Sequence, residues 1–329
     1  MSKVVTFGEM MLRLSPIGYD RFLQSEQFNA FYGGSEANAA VSLGNFGKEV
    51  SFVTKFPENN IAQCAINALR KYGVDTNDIV RGGERIGLYY CEKGESQRPA
   101  KLIYDRKNSS MANAKREDFD WDKIFKGADW FHFSGITPSL SDECAKITLD
   151  AVKAAKKNGM TVSIDLNYRK NLLDAENFVR VIGEILKYCD VSLGTMEEAE
   201  ILIGKGKGVQ CNDLLKELVE KFDLKYASII LTDRFTAGDI DWTAVLYDGK
   251  DFYNSRKYDI HVADNMGGGD AFAASFIYAA TSKFSNQEII DYATAGSCLK
   301  YCMNGDVNLS SVDEVMKLMN GDGLGKVSR

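Results

Sequence analysis

Histidine is scarce in this chain: only His132 and His261 occur in 329 residues, far apart. A histidine-rich metal centre therefore has too little material to form. No serine-nucleophile elbow is present either. No apolar run approaches the length of a bilayer span, so no membrane partner is expected. The 40 Lys and Arg residues are outnumbered by 46 Asp and Glu, and no basic stripe stands out, which argues against a nucleic-acid partner. The N-terminus enters a strand-like run at once and has no signal-peptide layout. Cys64, Cys91, Cys144, Cys189, Cys211, Cys298 and Cys302 are odd in number and irregular in spacing. That argues against a disulfide framework and for reduced thiols in a cytoplasmic protein. Cys298 and Cys302 lie one helical turn apart, but with no histidine near them they read as two core cysteines. A Gly-x-x-x-x-Gly-Lys-Ser/Thr loop is missing, and Gly204-Lys205-Gly206-Lys207-Gly208 lacks dinucleotide spacing and follows a helix. No repeat, linker or low-complexity segment is visible, and the tail from Gly321 to Gly325 is expected to be flexible.

What is present is an alternation. Strand-like runs at 4–7, 50–53, 162–165, 191–193 and 228–232 are interleaved with helical periodicities at 36–46, 61–72, 145–158, 177–189, 197–203 and 214–222. Such alternation predicts an α/β fold with a mostly parallel central sheet covered by helices on both faces. Ser285-Asn286-Gln287-Glu288 fits a capping box opening a further helix over 288–302. Residues 10–32 and 85–106 break the rhythm with short alternating runs and no helix. They are expected to form one small β-sheet lid over the strand ends, leaving 1–9, 33–84 and 107–329 as the main domain. An exposed lid leaves strand edges and an apolar face uncovered, which points to a homo-oligomer formed through the lid.

The segment Asp264-Asn265-Met266-Gly267-Gly268-Gly269-Asp270 runs straight into a small, apolar, helix-like stretch. Glycines admit an anion close to backbone N–H groups, and the helix start adds free donors and the positive end of its dipole. An acid at that point would repel phosphate, so Asp270 is best read as a base acting beside an anion hole made by the Gly267, Gly268 and Gly269 amides. Near the start, Gly33-Gly34-Ser35-Glu36-Ala37-Asn38-Ala39 permits a tight turn and close backbone approach. Ser35 or Glu36 is placed to cap the following helix, and Asn38 offers both a donor and an acceptor to a hydroxyl-rich ligand.

These two segments, in this order, resemble the two signatures of the ribokinase-like (PfkB) carbohydrate kinases, and the resemblance spans the chain. It implies a three-layer α/β sandwich with a small β-sheet lid, and ATP with Mg²⁺ as phosphoryl donor; it also allows a monovalent cation. Within that family, Gly87-Leu88-Tyr89, Tyr104-Asp105-Arg106, Ser134-Gly135-Ile136-Thr137-Pro138, Asp165-Leu166-Asn167-Tyr168-Arg169 and Gly305-Asp306 resemble the 2-keto-3-deoxygluconate kinases. The resemblance places Gly34, Asn38, Tyr89, Tyr104, Arg106, Arg169 and Asp306 around a sugar acid, with the arginines suited to its carboxylate. On the nucleotide side it places Asn167, Thr195, Thr232 and Arg234, with Glu198 acting indirectly on the metal. Two features depart from the family pattern. Thr195 stands where Asn is usual, and the stretch 233–242 is longer and built differently from the family's nucleotide loop. The competing readings are a fructokinase or other hexose kinase, which needs no carboxylate grip, and a sugar-binding regulator that has lost catalysis.

Overall fold

The computed structural model describes residues 2–321, so the tail positions 322–325 lie outside the described residues. Six strands run parallel in the order Glu49–Val53, Lys3–Phe7, Trp130–Ser134, Thr161–Asp165, Val191–Thr195 and Tyr226–Leu231. Asp239–Tyr247 then adds an antiparallel edge, to which Phe252–Asn254 and Tyr258–His261 both pair. The sequence reading left Trp130–Ser134 and these three last strands unassigned. Asp239 and Asp241 interrupt the apolar pattern at the start of Asp239–Tyr247, so its β signal begins only at Trp242.

Alternate side chains of each strand go to opposite faces. Val4, Val50, Phe52, Val191 and Leu193 join one apolar core, while Val5, Phe7, Phe131, Val162 and Ile164 join the other. The first core is roofed by helices Ser35–Asn45, Asn60–Arg70, Gly268–Ala280, Asn286–Tyr301 and Val312–Asn320. The second is covered by Asp142–Lys157, Ala175–Leu186, Met196–Ile203 and Cys211–Phe222. This is the predicted sandwich. Ser285 caps Asn286–Tyr301 through the expected capping box with Glu288. Cys298 on that helix is buried, but Cys302 is its exposed cap residue, so the expectation of two core cysteines holds for Cys298 alone.

The two non-helical insertions meet in a separate four-stranded sheet, ordered Phe28–Gly33, Met11–Pro16, Leu88–Glu92, Lys101–Asp105. Each insertion contributes an antiparallel pair, but the seam between them is parallel, Leu12 lying opposite Leu88. The sheet is anchored to the main domain at both ends. Arg13 reaches Asp264 and Asp306. Beyond strand Leu88–Glu92, Lys93 donates to the Ala263 carbonyl (3.1 Å), and the Ser96 carbonyl accepts from the Ala237 N–H (2.7 Å). Among the described residues no helix is long and apolar enough to cross a membrane.

Candidate active site

The carboxyl ends of the parallel strands and the inner face of the small sheet converge on one region. At its centre is Asp270, the third residue of helix Gly268–Ala280. An acid at that position would ordinarily fold back on its own helix start. Here both oxygens are taken by the neighbouring helix: Ser35 Oγ donates to Oδ1 and Asn38 Nδ2 to Oδ2, each at 2.7 Å. Neither Ser35 nor Glu36 caps helix Ser35–Asn45, contrary to expectation. Ser35 is committed to Asp270. Glu36 is buried and accepts from Ser134 Oγ (2.7 Å), the Ser134 N–H (2.9 Å) and Thr137 Oγ1 (2.8 Å). Burial nevertheless pushes the Glu36 carboxyl up to about 7. The Gly34 N–H at the helix start is served instead by Asn38 Oδ1 (3.3 Å). Asn38 is thus a positioning partner of Asp270 with both ends of its amide engaged.

The glycine turn works as a set of unpaired donors. Gly267 has φ +82°, and a Cβ there would collide with the Asp306 carbonyl. A Cβ at Gly268 would strike the Tyr301 ring, whereas at Gly269 it would meet nothing within 4 Å. Gly267 therefore carries the conformational demand of the turn, and Gly269 faces open space. Among the described residues no acceptor takes the N–H groups of Gly267, Gly268 or Gly269. Unpaired donors at a helix start beside a buried carboxylate form a site for an anion that reacts with a hydroxyl.

Asp264 has a different task from Asp270. One of its oxygens receives Arg13 Nη2 (2.8 Å) and the Gly305 N–H (3.1 Å), and the other the Met266 N–H (3.1 Å). Arg13 is fully buried and also pairs with Asp306 (3.1 Å) and with Ser15 Oγ (2.8 Å). Burial pulls the Arg13 pKa down, but Asp306 and Asp264 outweigh it and raise it overall. Tyr89 donates its hydroxyl to Asp306 and stacks on Tyr104 at 5.8 Å. The sequence reading missed Arg13. Its one signal is a lone charge in Met11-Leu12-Arg13-Leu14, on the same strand face as Met11 and Ser15.

The two arginines assigned to a substrate carboxylate differ sharply. Arg106 is buried and gives Nε to Glu9 Oε2 (2.8 Å) and Nη2 to the same oxygen, while Ser109 also donates to Glu9. Glu9 went unnoticed in the sequence and removes part of this arginine's capacity. Arg169 is exposed and makes no ion pair among the described residues. Its charge nonetheless reaches Asp165, Glu198 and Asp270, favouring their ionised forms against burial. Gly34 abuts the Glu9 carbonyl so closely that no Cβ fits.

The residues expected on the nucleotide side lie at or beyond the ends of consecutive strands. Asn167, at φ +38°, donates to Asp165 (3.1 Å) and to Ser35 Oγ (3.5 Å), linking Asp165 through Ser35 to Asp270. Thr195 starts helix Met196–Ile203 in a capping box with Glu198, which also accepts the Tyr168 N–H (2.9 Å). Asp165 and Glu198 are both buried, and burial together with their mutual repulsion raises the Asp165 pKa. Thr232 is exposed beyond strand Tyr226–Leu231, and Arg234 donates to Asn265 Oδ1 (3.0 Å). Among the described residues no three His, Cys, Asp or Glu side chains gather to hold a metal ion by themselves.

The pattern of the pfkB family carbohydrate kinases matches residues 1–310. The chain is similar to a 2-dehydro-3-deoxygalactonokinase of Haloferax volcanii, 27% identical over 98% of both chains. It is also similar to a 5-dehydro-2-deoxygluconokinase of Clostridium perfringens, 28% identical over 90% of this chain and 86% of that one. Among solved structures, a 2-dehydro-3-deoxygluconokinase from Thermotoga maritima superposes with a TM-score of 0.95, is 42% identical, and covers 97% of this chain and 98% of its own.

Gly267 and Gly269 should respond oppositely to a methyl group. Gly267→Ala is expected to lower stability measurably, from the collision with Asp306 and the strained φ. Gly269→Ala is expected to melt near wild type yet lose activity, because its methyl points into the space where an anion would sit. Equal melting temperatures for the two variants would refute this division of roles.

The Asn38 amide favours ionised Asp270, so Asn38→Ala should raise the Asp270 pKa further. A general base acts only when deprotonated. The acid limb of the kcat/KM profile is therefore expected to move to higher pH, and Ser35→Ala should move it the same way. An unmoved limb in both variants would sever Asp270 from that titration.

Proposed function

The chain belongs to the pfkB family of carbohydrate kinases, and we propose that it transfers the γ-phosphoryl group of ATP to the terminal hydroxyl of 2-dehydro-3-deoxygluconate. The observation that carries the chemistry is the buried Asp270 carboxylate, held by Ser35 and Asn38 beside three unpaired glycine N–H groups. The choice of a keto-deoxy sugar acid draws on the names of the similar proteins and on Arg169, a cation with no carboxylate of its own.

Asp270 accepts the proton of the attacking hydroxyl. Its burial-raised pKa makes it a better acceptor than an exposed aspartate. The Gly267, Gly268 and Gly269 amides receive the growing charge on the phosphoryl oxygens. Mg²⁺ carried on the nucleotide would neutralise its phosphates. Such an ion keeps much of its water and needs only one or two carboxylates, which suits Asp165, with Glu198 acting indirectly because its oxygens already serve Thr195 and Tyr168. Asn167, Thr195, Thr232 and Arg234 border the nucleotide. Gly34, Tyr89, Tyr104, Arg106, Arg169 and Asp306 enclose the sugar acid, and residues 10–32 and 85–106 act as its lid, excluding water. The irregular cysteines support a cytoplasmic setting.

A hexose kinase is the second reading, favoured by one observation: Glu9 already occupies Arg106. A panel of sugars and sugar acids in an ATP-consumption assay separates the two, and inactivity on all of them would favour a non-catalytic regulator. Asp270→Asn should keep nucleotide binding but lose about 10²–10⁴-fold in kcat. Arg169→Ala should cut kcat/KM for the sugar acid roughly ten- to a hundredfold, the effect of losing one charge-assisted hydrogen bond of about 1.5–3 kcal/mol. If wild type used fructose and the sugar acid alike, and Arg169→Ala left that ratio unchanged, the sugar-acid assignment would fall.

Assembly through the lid is part of this proposal. Ile103, on the outer strand of the small sheet and on the face opposite Tyr104, is 45% exposed, and the strand edge beside it is unpaired among the described residues, an apolar edge suited to a second copy. Gel filtration with light scattering should give at least a dimer at micromolar concentration. A monomer mass would remove the lid contact.

A further inference from the structure

Helix Asn286–Tyr301 ends against the glycine turn and touches it at three points, each one turn or less from the next. Ser297 Oγ donates to the Gly268 carbonyl at 2.7 Å. The Tyr301 ring fills the space a Gly268 side chain would need. Between them lies Lys300, whose Cε sits 3.2 Å from where a Gly267 Cβ would stand. Lys300 is fully buried, with 0% exposure, and among the described residues its ammonium makes one hydrogen bond, to the Met303 carbonyl at 3.2 Å.

An ammonium with a single hydrogen bond should not be stable there without compensating charge. Burial lowers the Lys300 pKa, and the negative charges of Asp264, Asp306 and Asp270 oppose that shift without cancelling it. Arg13 answers only part of that negative charge, and it is locked to Asp264 and Asp306 on the side of the small sheet. Lys93 also lies 3.7 Å from Asp264 but is partly exposed, so Lys300 is the fully buried cation that the late helix adds to this group of acids. Ser297 and Tyr301 hold the turn by a hydrogen bond and by shape, and Lys300 adds a fixed positive charge next to amides that must receive an anion.

We propose that Lys300 is a positioning residue for phosphoryl transfer: its tethered ammonium holds the Gly267–Gly269 turn in its donor-outward form and supplies positive potential beside it, so turnover needs no added monovalent cation. This rests on the kinase reading above. The ammonium does in cis what a potassium or ammonium ion would do if the position were vacant.

The test compares wild type, Lys300→Met, Lys300→Ala and Lys300→Arg with ATP and the sugar acid. Wild type should turn over equally in potassium chloride and in tetramethylammonium chloride of the same ionic strength. Lys300→Met, of similar length but uncharged, should lose about 10²-fold in kcat, the size of losing one donor to a developing anion, with KM for the sugar acid changed by no more than about threefold. Lys300→Arg should retain more activity than Lys300→Met. Lys300→Ala leaves a void, and potassium or ammonium, but not the bulkier tetramethylammonium, should restore at least tenfold of its lost rate.

A folded Lys300→Met with wild-type kcat overturns the proposal, and so does a folded Lys300→Ala that no small cation rescues. Should the variants fail to fold, a wild type that stalls without potassium still overturns it. A wild type that phosphorylates no sugar or sugar acid would instead fail the kinase reading, whatever the Lys300 variants do.

Discussion

The site hangs on one buried cation. Arg13 comes from the small sheet, Asp264 from the start of the glycine segment, and Asp306 from the loop after helix Asn286–Tyr301. Removing the arginine would leave two buried carboxylates with too little positive charge. Breaking a buried pair in that way typically costs about 3–5 kcal/mol, a large share of a domain's total stability. The geometric consequence is as important. Asp264 orients the Met266 and Gly305 N–H groups, and the Asp306 carbonyl sits where a Gly267 side chain would be. The left-handed Gly267, and with it the direction of the glycine amides, follows from where Arg13 holds those two acids. The same contact fastens the small sheet to the glycine turn.

Charge explains why so many acids can be gathered here. Asp165, Glu198, Asp264, Asp270 and Asp306 are all buried. Each is given a specific set of donors: Asn167 for Asp165, Thr195 and Tyr168 for Glu198, Arg13, Met266 and Gly305 for Asp264, Ser35 and Asn38 for Asp270, Arg13 and Tyr89 for Asp306. Burial still dominates for Asp165, Asp270 and Asp306, whose pKa values are raised. For Asp270 that balance would suit the general base proposed above, which must hold the proton it takes. For Asp306 the effect is structural.

Much of this was legible in the sequence, for reasons that separate by length scale. The parallel sheet was visible because strands buried on both faces read as short apolar runs between amphipathic helices. The glycine turn and Asp270 were visible because their chemistry is contiguous. Asn38 was found, but its partner was not, since Asp270 lies 232 positions away. Arg13 and Glu9 stayed hidden for the same reason: each is a single charge whose meaning lies in residues contributed by distant segments. Lys300 carried a faint mark, a lone charge in the run Ala293-Thr294-Ala295-Gly296-Ser297-Cys298-Leu299-Lys300-Tyr301. The parallel seam of the small sheet could not be read either, because alternation fixes which face a residue takes and not the direction of its neighbour.

The unequal arginines bear on how an acid would be recognised. A carboxylate entering beside Arg106 meets a guanidinium whose Nε and Nη2 are already turned to Glu9, and a second negative charge close by. Two acids sharing one arginine repel each other, so Arg106 alone would be a poor receptor. Arg169 has the opposite character: it is exposed and makes no ion pair among the described residues, though its charge favours the ionised forms of Asp165, Glu198 and Asp270. A substrate carboxylate that reaches Arg169 competes with no protein carboxylate for its hydrogen bonds. Glu9 then has a constructive part. It holds Arg106 in place beneath the Gly34 turn, with the exposed Tyr104 ring 5.8 Å from the guanidinium. On the function proposed above, discrimination between an acid and a neutral sugar would fall chiefly on Arg169.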